Sequence, residues 1–361
     1  MIEKIQILGE MLMVIRSRKL ACVMLGISAA LLFSGCKSTT EKTQEAMSLV
    51  QQLDYDAALL LFDEAESAGE NERLIARGRG IASMGLTDYE QAIEYFREAL
   101  SKGSGFVQPV DFDLNYYLAA AYVKNGQFKE AVETYDAILG LRPGEQDAYF
   151  LRGCALLEIS EYERAKADFD KTLSMDPHNY DRLIQVYEAL AHHGYQTAGR
   201  EYLTSALENG GKSLDVYDSG RIYYYLGEYQ KAYIALETAK ESGGAESFLY
   251  LGRAYEATGD YNYATNVYNS YLAKAGGNAE VYNQLGICEM AKGEYAKALT
   301  AFQAGKQLED SEYLQALSYN EIVAYEYLGD YRKAAVLLEA YLKAYPDDGQ
   351  ARREQGFLST R

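Results

Sequence analysis

Few residues in this chain have types and spacings that suggest bond chemistry. His192 and His193 are adjacent and could bind a metal ion, but the only other histidine is His178, and no cysteine lies nearby at zinc-site spacing. We interpret the pair as part of a solvated turn. Gly210-Gly211-Lys212-Ser213 partly matches a phosphate-binding loop, but Ala206 occupies the position of its first glycine and no strand pattern precedes it. The sequence shows no combination of Ser, His and Asp that stands apart from the repeat pattern described below. It therefore predicts neither an enzyme, nor a metal site, nor a cofactor.

A different chemistry is indicated near the start of the chain. Arg16, Arg18 and Lys19 precede the apolar run Leu20 to Phe33, which suits the core of a signal peptide better than a membrane span. The run ends in Leu32-Phe33-Ser34-Gly35-Cys36, which resembles the lipobox of bacterial lipoproteins. The resemblance implies a signal peptide over 1–35, diacylglycerol on Cys36 and a short tether over 36–40. An uncleaved anchor, or a coincidental cysteine, is the alternative.

The most regular feature is a Tyr or Phe followed three residues later by Ala, nine times, with steps of 32 to 39 residues between the alanines. A large apolar residue comes four positions after each alanine, which marks one buried helix face. A small residue lies twelve positions before the alanine in seven of the nine copies. We expect these small residues to mark close contacts between two helices of one hairpin. A period near 34 residues is typical of a solenoid of helical hairpins. The nine alanines are Ala58, Ala92, Ala131, Ala165, Ala198, Ala232, Ala264, Ala298 and Ala334.

Turn residues agree with this register. Sequences such as Leu-Gly-Asp-Tyr, from Leu328 to Tyr331, stand between the two predicted helices. The glycine can adopt the left-handed conformation that ends the first helix, and the acidic residue suits the positive end of the second. We expect Asp at this position to cap free backbone N–H groups.

The combined pattern resembles the tetratricopeptide repeat, a helix–turn–helix unit of 34 residues. The fold class implied is all-α, an α-solenoid of about nine such repeats. Repeats 1 and 2 would occupy 41–104, repeats 3 to 9 would occupy 105–348, and 349–361 would form a C-terminal capping segment. An insertion rich in Gly and Ser, 101–109, predicts a longer loop between repeats 2 and 3.

The resemblance also implies a binding surface, because the first helix (helix A) of each repeat lines the concave face of such arrays. On this register the partner-binding groove would use Tyr187, Tyr217, Arg221, Tyr224, Tyr225, Leu249 and Arg253. The arginines could grip a carboxylate or backbone carbonyls, and the tyrosines offer contact area at low entropic cost. Alternatively, the tyrosines pack against the preceding helix and the arginines pair with Glu256 and its neighbours.

Charge narrows the classes of partner. A formal net charge of −18 disfavours nucleic acid and anionic lipid surfaces. We therefore expect a lipid-anchored scaffold that binds a protein or peptide in the bacterial cell envelope, on the extracytoplasmic side of a membrane, at the cell surface or in the periplasm. The alternative is a glycan-binding envelope lipoprotein, which stacked aromatic rings favour and the absence of Trp disfavours. Cys154 and Cys288 are expected to be buried thiols.

Overall fold

The computed structural model describes residues 40–241, 245–308 and 311–359, so the predicted signal peptide and Cys36 lie outside it. Within these ranges it contains nineteen α-helices, a 3-10 turn at Gly211–Ser213, and no β-strand. The helices are α1 Glu41–Gln51, α2 Tyr55–Ser67, α3 Glu72–Gly85, α4 Tyr89–Ser101, α5 Pro109–Lys124, α6 Phe128–Leu141, α7 Gln146–Glu158, α8 Tyr162–Met175, α9 Tyr180–His192, α10 Gln196–Asn209, α11 Val216–Tyr225, α12 Tyr229–Glu241, α13 Ala245–Ala257, α14 Tyr261–Ala275, α15 Ala279–Ala291, α16 Tyr295–Lys306, α17 Ser311–Tyr327, α18 Tyr331–Ala344 and α19 Gly349–Leu358.

The chain forms two compact units that divide between Gln196 and Thr197. In the first unit, α1 to α8 form four hairpins, each packed on the next, and α9 follows. In the second unit, α11 to α18 form four further hairpins. The predicted all-α fold of solenoid hairpins is confirmed. The glycine- and serine-rich segment lies inside the first unit, where it joins the end of α4 at Ser101 to the start of α5 at Pro109.

Contact between the two helices of a hairpin rests on a small residue facing a large one. A Cβ atom built on Gly153 in α7 would lie 2.7 Å from a ring carbon of Phe169 in α8, closer than real Cβ atoms approach. The same relation joins Gly80 to Phe96, Gly220 to Leu236, Gly252 to Tyr268 and Gly286 to Phe302. These are the small and large positions that the sequence register pairs. The absence of a side chain on one helix makes the space that the large side chain of the other fills.

The turn between the two helices places one residue in the left-handed region, where Gly is least strained. Gly227, with φ of 73°, and Gly259, with φ of 76°, hold this position in repeats 6 and 7. Three repeats place a residue with a side chain there instead: Leu53, Thr87 and Ser160, with φ of 62° to 63°. The turn geometry is therefore kept even where the sequence does not favour it.

The acidic residue that follows this turn caps the second helix when it is Asp. The carboxylates of Asp54 and Asp88 accept hydrogen bonds from the backbone N–H groups of Ala57 and Gln91. Asp260 and Asp330 make the equivalent bonds. Where Glu stands at the same position, as at Glu161, no such side-chain bond forms. The longer side chain keeps the charge near the helix end but does not reach the N–H groups in cap geometry.

The last hairpin is covered by α19. Ala351 and Leu358 are buried against Leu338 and Tyr341 of α18, and the carboxylate of Asp348 caps the new helix through the N–H groups of Gln350 and Ala351. Tyr341 donates a hydrogen bond of 2.6 Å to Asp348. The apolar face of α18 is therefore covered by α19.

We predict that Gly286→Ala lowers the free energy of unfolding by about 1–3 kcal/mol, because the added methyl group overlaps the buried ring of Phe302. Thermal or denaturant unfolding measures this. Gly140→Ala is the matched control: Gly140 is helical and exposed, nothing lies near its Cβ position, and the change should raise stability by about 0.4–1 kcal/mol. Equal effects of the two substitutions would contradict the pairing.

A pH dependence follows from Glu326 of α17. Burial and the carboxylate of Glu354 on α19 raise the pKa of Glu326 from 4.5 to about 8. The folded chain then holds this proton more tightly than the unfolded chain, so the contribution to stability is complete below about pH 4.5 and is lost as pH rises through about 8. Glu326→Gln should therefore stabilise the chain at about pH 9 and change little at about pH 4. Glu339→Gln, an exposed site on α18, should show no such difference; a pH-independent effect of Glu326→Gln would refute the prediction.

Candidate functional site

Aromatic and cationic side chains of two successive A helices come together in the second unit. They lie on α11, the A helix of repeat 6, and on α13, the A helix of repeat 7. We call this group the tyrosine–arginine cluster; its members are Tyr217, Arg221, Tyr224, Tyr225, Tyr250 and Arg253.

Tyr250 lies at the centre of the cluster. Its ring centroid is 6.2 Å from that of Tyr217, 6.0 Å from that of Tyr224 and 6.2 Å from that of Tyr225, with interplanar angles of 60° to 74°. Edge-to-face contacts of this kind are the preferred geometry for aromatic pairs. The rings therefore hold one another at fixed angles across the two helices.

Both guanidinium groups lie close to the same ring. The Cζ atom of Arg221 is 5.2 Å from the Tyr250 centroid, and that of Arg253 is 5.1 Å from it. Both distances are within the range of cation–π attraction. Tyr250 is thus held by cations as well as by aromatic edges.

Each arginine is also paired with a carboxylate. Arg221 donates to Asp218 of its own helix at 3.1 Å. Arg253 pairs with Glu280 at the start of α15, the A helix of repeat 8. Burial disfavours the charged form of the Arg253 guanidinium, but Glu280 holds its pKa well above the ordinary value. Glu256 accepts a hydrogen bond of 3.0 Å from the hydroxyl of Tyr268.

Ion pairs between successive A helices recur in the first unit. Arg73 of α3 pairs with Asp111 of α5, and Asp147 of α7 pairs with Arg182 of α9. These contacts join the same edge of neighbouring repeats. The pair of Arg253 and Glu280 belongs to this series, which indicates that it fixes one repeat on the next.

The tyrosine rings remain half-buried, so each keeps part of its surface in solvent. Burial raises the pKa of Tyr224 above its ordinary value, and its hydroxyl is therefore protonated at neutral pH. Rings with fixed orientation and protonated hydroxyls provide apolar contact area together with hydrogen-bond donors and acceptors. This combination suits recognition of a polypeptide surface.

The remaining residues proposed for the groove lie elsewhere. Leu249 is buried in the core with Tyr268 and Val281, so it offers no surface to a partner. Tyr187 belongs to the first unit, where it is buried on α9. Cys36 lies outside the described residues.

Tyr250 was missed by reasoning from the sequence. The family register places Leu249 toward the groove, but neighbouring residues on a helix point about 100° apart, and it is the next residue that faces the cluster. A usable signal existed: Tyr217 and Tyr250 are 33 residues apart, one repeat, as Arg221 and Arg253 are 32 apart.

The histidine pair is accounted for by local contacts. Nδ1 of His193 lies 2.8 Å from the carbonyl oxygen of Ala189, and its Nε2 lies 3.4 Å from a carboxylate oxygen of Glu158. In the part of the chain that the structure describes, no group of three or more His, Cys, Asp or Glu could hold a metal ion.

In the part of the chain that the structure describes, Cys154 and Cys288 are free; Cys288 is fully buried, as predicted, and Cys154 is partly buried. Burial raises the pKa of Cys154 to about 12. Within residues 40–241, 245–308 and 311–359, no helix has the length and apolar character needed to span a membrane.

Stacked hairpins whose A helices carry a surface of fixed aromatic rings define a helical-repeat scaffold. The model of the tetratricopeptide repeat matches residues 43–105, 77–148, 116–180, 249–311 and 319–356. The chain therefore belongs to the tetratricopeptide repeat family, whose members typically bind other proteins.

Among curated proteins, the chain is similar to RNA polymerase II-associated protein 3 of Homo sapiens, with 22% identity over 228 residues, 57% of this chain and 34% of that protein. It is also similar to Protein CTR9 homolog of Arabidopsis thaliana, with 20% identity over 331 residues, 86% of this chain and 28% of that protein. The chain spans about a third of the length of these relatives.

Among solved structures, a tetratricopeptide repeat protein from Parabacteroides merdae is 15% identical with a TM-score of 0.46, covering 77% of this chain and 97% of that one. The APC/C hetero-tetramer Cut9-Hcn1 matches with 17% identity and a TM-score of 0.42, covering 90% of this chain and 77% of that one.

We predict that Arg253→Ala destabilises the fold by about 3–5 kcal/mol, because it leaves the buried carboxylate of Glu280 without its cation. Chemical denaturation measures the loss. The double variant Arg253→Ala/Glu280→Ala should recover a large part of it. If Arg253 served only to bind a ligand, Arg253→Ala would leave the free energy of unfolding nearly unchanged, which would contradict the prediction.

Proposed function

We propose that this chain is a non-catalytic scaffold that binds a protein partner through the tyrosine–arginine cluster, and that a lipid on Cys36 holds it to the extracytoplasmic side of a bacterial membrane. The observation that carries the binding part is the group of half-buried tyrosine rings on two successive A helices. The fold itself supports a protein-binding role, since the tetratricopeptide repeat typically serves as an interaction module.

The cluster is pre-organised for binding. Tyrosine has only two side-chain torsions, so it provides contact area at low entropic cost. Here the ring of Tyr250 is further held by Arg221 and Arg253, whose Cζ atoms lie 5.2 and 5.1 Å from its centroid. A partner that docks on these rings therefore orders few groups that were free before, which favours affinity.

Arg221 and Arg253 hold the tyrosine rings in place and do not contact the partner directly in this proposal. The side chains of Arg221 and Arg253 are only 9% and 10% exposed, and both are already paired with carboxylates. A ligand carboxylate would have to displace Asp218 or Glu280 to bind them directly. We therefore propose that the partner is read by tyrosine faces and hydroxyl groups, which suits an extended or helical segment with apolar side chains.

Support for the anchor comes from the sequence around Cys36. The apolar run, the small residues Ser34 and Gly35 and the following cysteine have the order expected for lipidation. Only Lys37 to Thr40 separate Cys36 from the start of α1 at Glu41. The first repeat would therefore lie close to the bilayer surface.

Photo-crosslinking tests the binding surface in intact cells. p-Azidophenylalanine at Tyr225 should capture a discrete protein, whereas the same residue at Tyr263 should not. Tyr263 is a suitable control because it is 59% exposed and lies on α14, a B helix. Equal capture from both positions, or none from Tyr225, would contradict the proposal. Capture of polysaccharide at Tyr225 would establish the glycan-binding alternative.

We predict that Cys36→Ala moves the protein from the membrane fraction to the soluble fraction and abolishes metabolic labelling with an alkyne fatty acid, because the lipid chains supply the membrane affinity. Cys22→Ala, in the same apolar run, should keep both membrane association and labelling. Persistent labelling of the Cys36→Ala variant would refute the lipid site.

A further inference from the structure

Two adjacent apolar side chains on the loop between α4 and α5 project into solvent. Phe106 is 83% exposed, the highest value for a large apolar residue in the described part of the chain, and Val107 is 58% exposed. Single exposed apolar residues are common, but an adjacent pair on a loop has no packing explanation within this fold.

The topology of the hairpins determines which end of the array carries this loop. Within each hairpin the chain reverses, so every A helix begins at the end where the preceding B helix finishes. The start of α1 and the loop before α5 therefore lie at the same end of the first unit, which we call the tether end.

Hydrogen bonds and an ion pair link the start of α1 to the loop before α5. The carboxylate of Glu70, in the connection before α3, accepts hydrogen bonds of 2.9 Å from the backbone N–H groups of Lys42 and Thr43 at the start of α1. Two residues later, Glu72 forms an ion pair with Lys102, the first residue after α4. The start of α1 and the base of the loop are therefore separated by a single connection.

Arg73 forms hydrogen bonds to residues on both sides of the loop between α4 and α5. Its Nε donates to the carbonyl oxygen of Ala99 at 3.1 Å, and its Nη1 donates to the side chain of Gln108 at 3.1 Å. Between these attachments Gly105 has φ of 82°, a turn that favours glycine, and the next two residues are Phe106 and Val107. The base of the loop is fixed, and its apolar tip is presented outward.

Charge at this tip differs from that of the chain as a whole. The formal net charge of the chain is −18, yet residues 101–109 contain one charged side chain, Lys102, and no carboxylate. Anionic lipid therefore does not repel this short segment, although it would repel the acidic remainder of the surface.

We propose that Phe106 and Val107 form a second membrane contact, which inserts shallowly into the bilayer and turns the tether end of the first unit toward it. The inference rests on the proposed lipid on Cys36. Five residues from Cys36 to Thr40 reach at most roughly 17 Å, so the lipid keeps the tether end near the headgroups. A lipid fixes one point only, and a second contact at the same end fixes orientation.

The absence of Trp from the sequence permits a direct test. Phe106→Trp introduces a single reporter into the full chain, purified from a bacterial membrane and reconstituted into vesicles of phosphatidylethanolamine and phosphatidylglycerol. Brominated acyl chains should quench Trp at 106 about twofold or more, as expected for shallow insertion of about 5–10 Å. Leu53→Trp is the matched control, because Leu53 is 67% exposed at the turn after α1, a helix length away from the tether end.

Mass spectrometry of the N-terminal peptide determines whether Cys36 is acylated in the same preparation. Quenching at 106 that exceeds quenching at 53 supports the contact. Equal or absent quenching on an acylated, vesicle-bound chain overturns it and leaves the anchor standing, as would be seen if the loop served a protein partner. A peptide without acyl chains refutes the anchor and, with it, the membrane contact.

Discussion

The close contact between a small residue on one helix and a large residue on the next is the interaction on which the rest of this structure depends. Gly252 against Tyr268 and Gly286 against Phe302 bring the two helices of a hairpin together over a ring that is fully buried. Because a buried ring fills space that no side chain on the partner helix can share, the contact fixes both the separation and the register of the two helices. Repetition at nearly constant sequence spacing then sets corresponding positions of successive A helices side by side.

Because the A helices are aligned, side chains from neighbouring repeats meet and form a continuous surface. Tyr217 and Tyr250 come from neighbouring A helices, yet their ring centroids lie 6.2 Å apart, and Arg253 reaches Glu280 on the next A helix. Side chains of the two A helices α11 and α13 assemble the tyrosine–arginine cluster. The same alignment gives the first unit its ion pairs between A helices, including Arg73 with Asp111. The position of a side chain along helix A therefore decides whether it serves stability, recognition or both.

The hairpins and their close contacts could be predicted from the sequence because they depend on local spacing, and Gly153 facing Phe169 is an example. The cluster could be predicted only in part. Whether Leu249 or Tyr250 faces outward depends on how helix α13 is rotated by its neighbours, and Leu249 is drawn into the core. The partners of Arg253 and Glu256 lie in other helices, so local spacing gave no indication of Glu280 or Tyr268. The left-handed backbone conformation of Thr87 could not be predicted either, because the turn imposes it and threonine does not favour it.

We expect a protein partner to bind the A-helix surface of repeats 6 and 7. Hydrogen–deuterium exchange on the purified full chain, alone and in complex with the protein captured from Tyr225, tests this most directly. The cluster lies on α11 and α13, so exchange there should slow in the complex while exchange in the B helices α12 and α14 stays unchanged. Protection confined to α12 and α14 would contradict the claim, since it would place the partner on the opposite helices of the same hairpins.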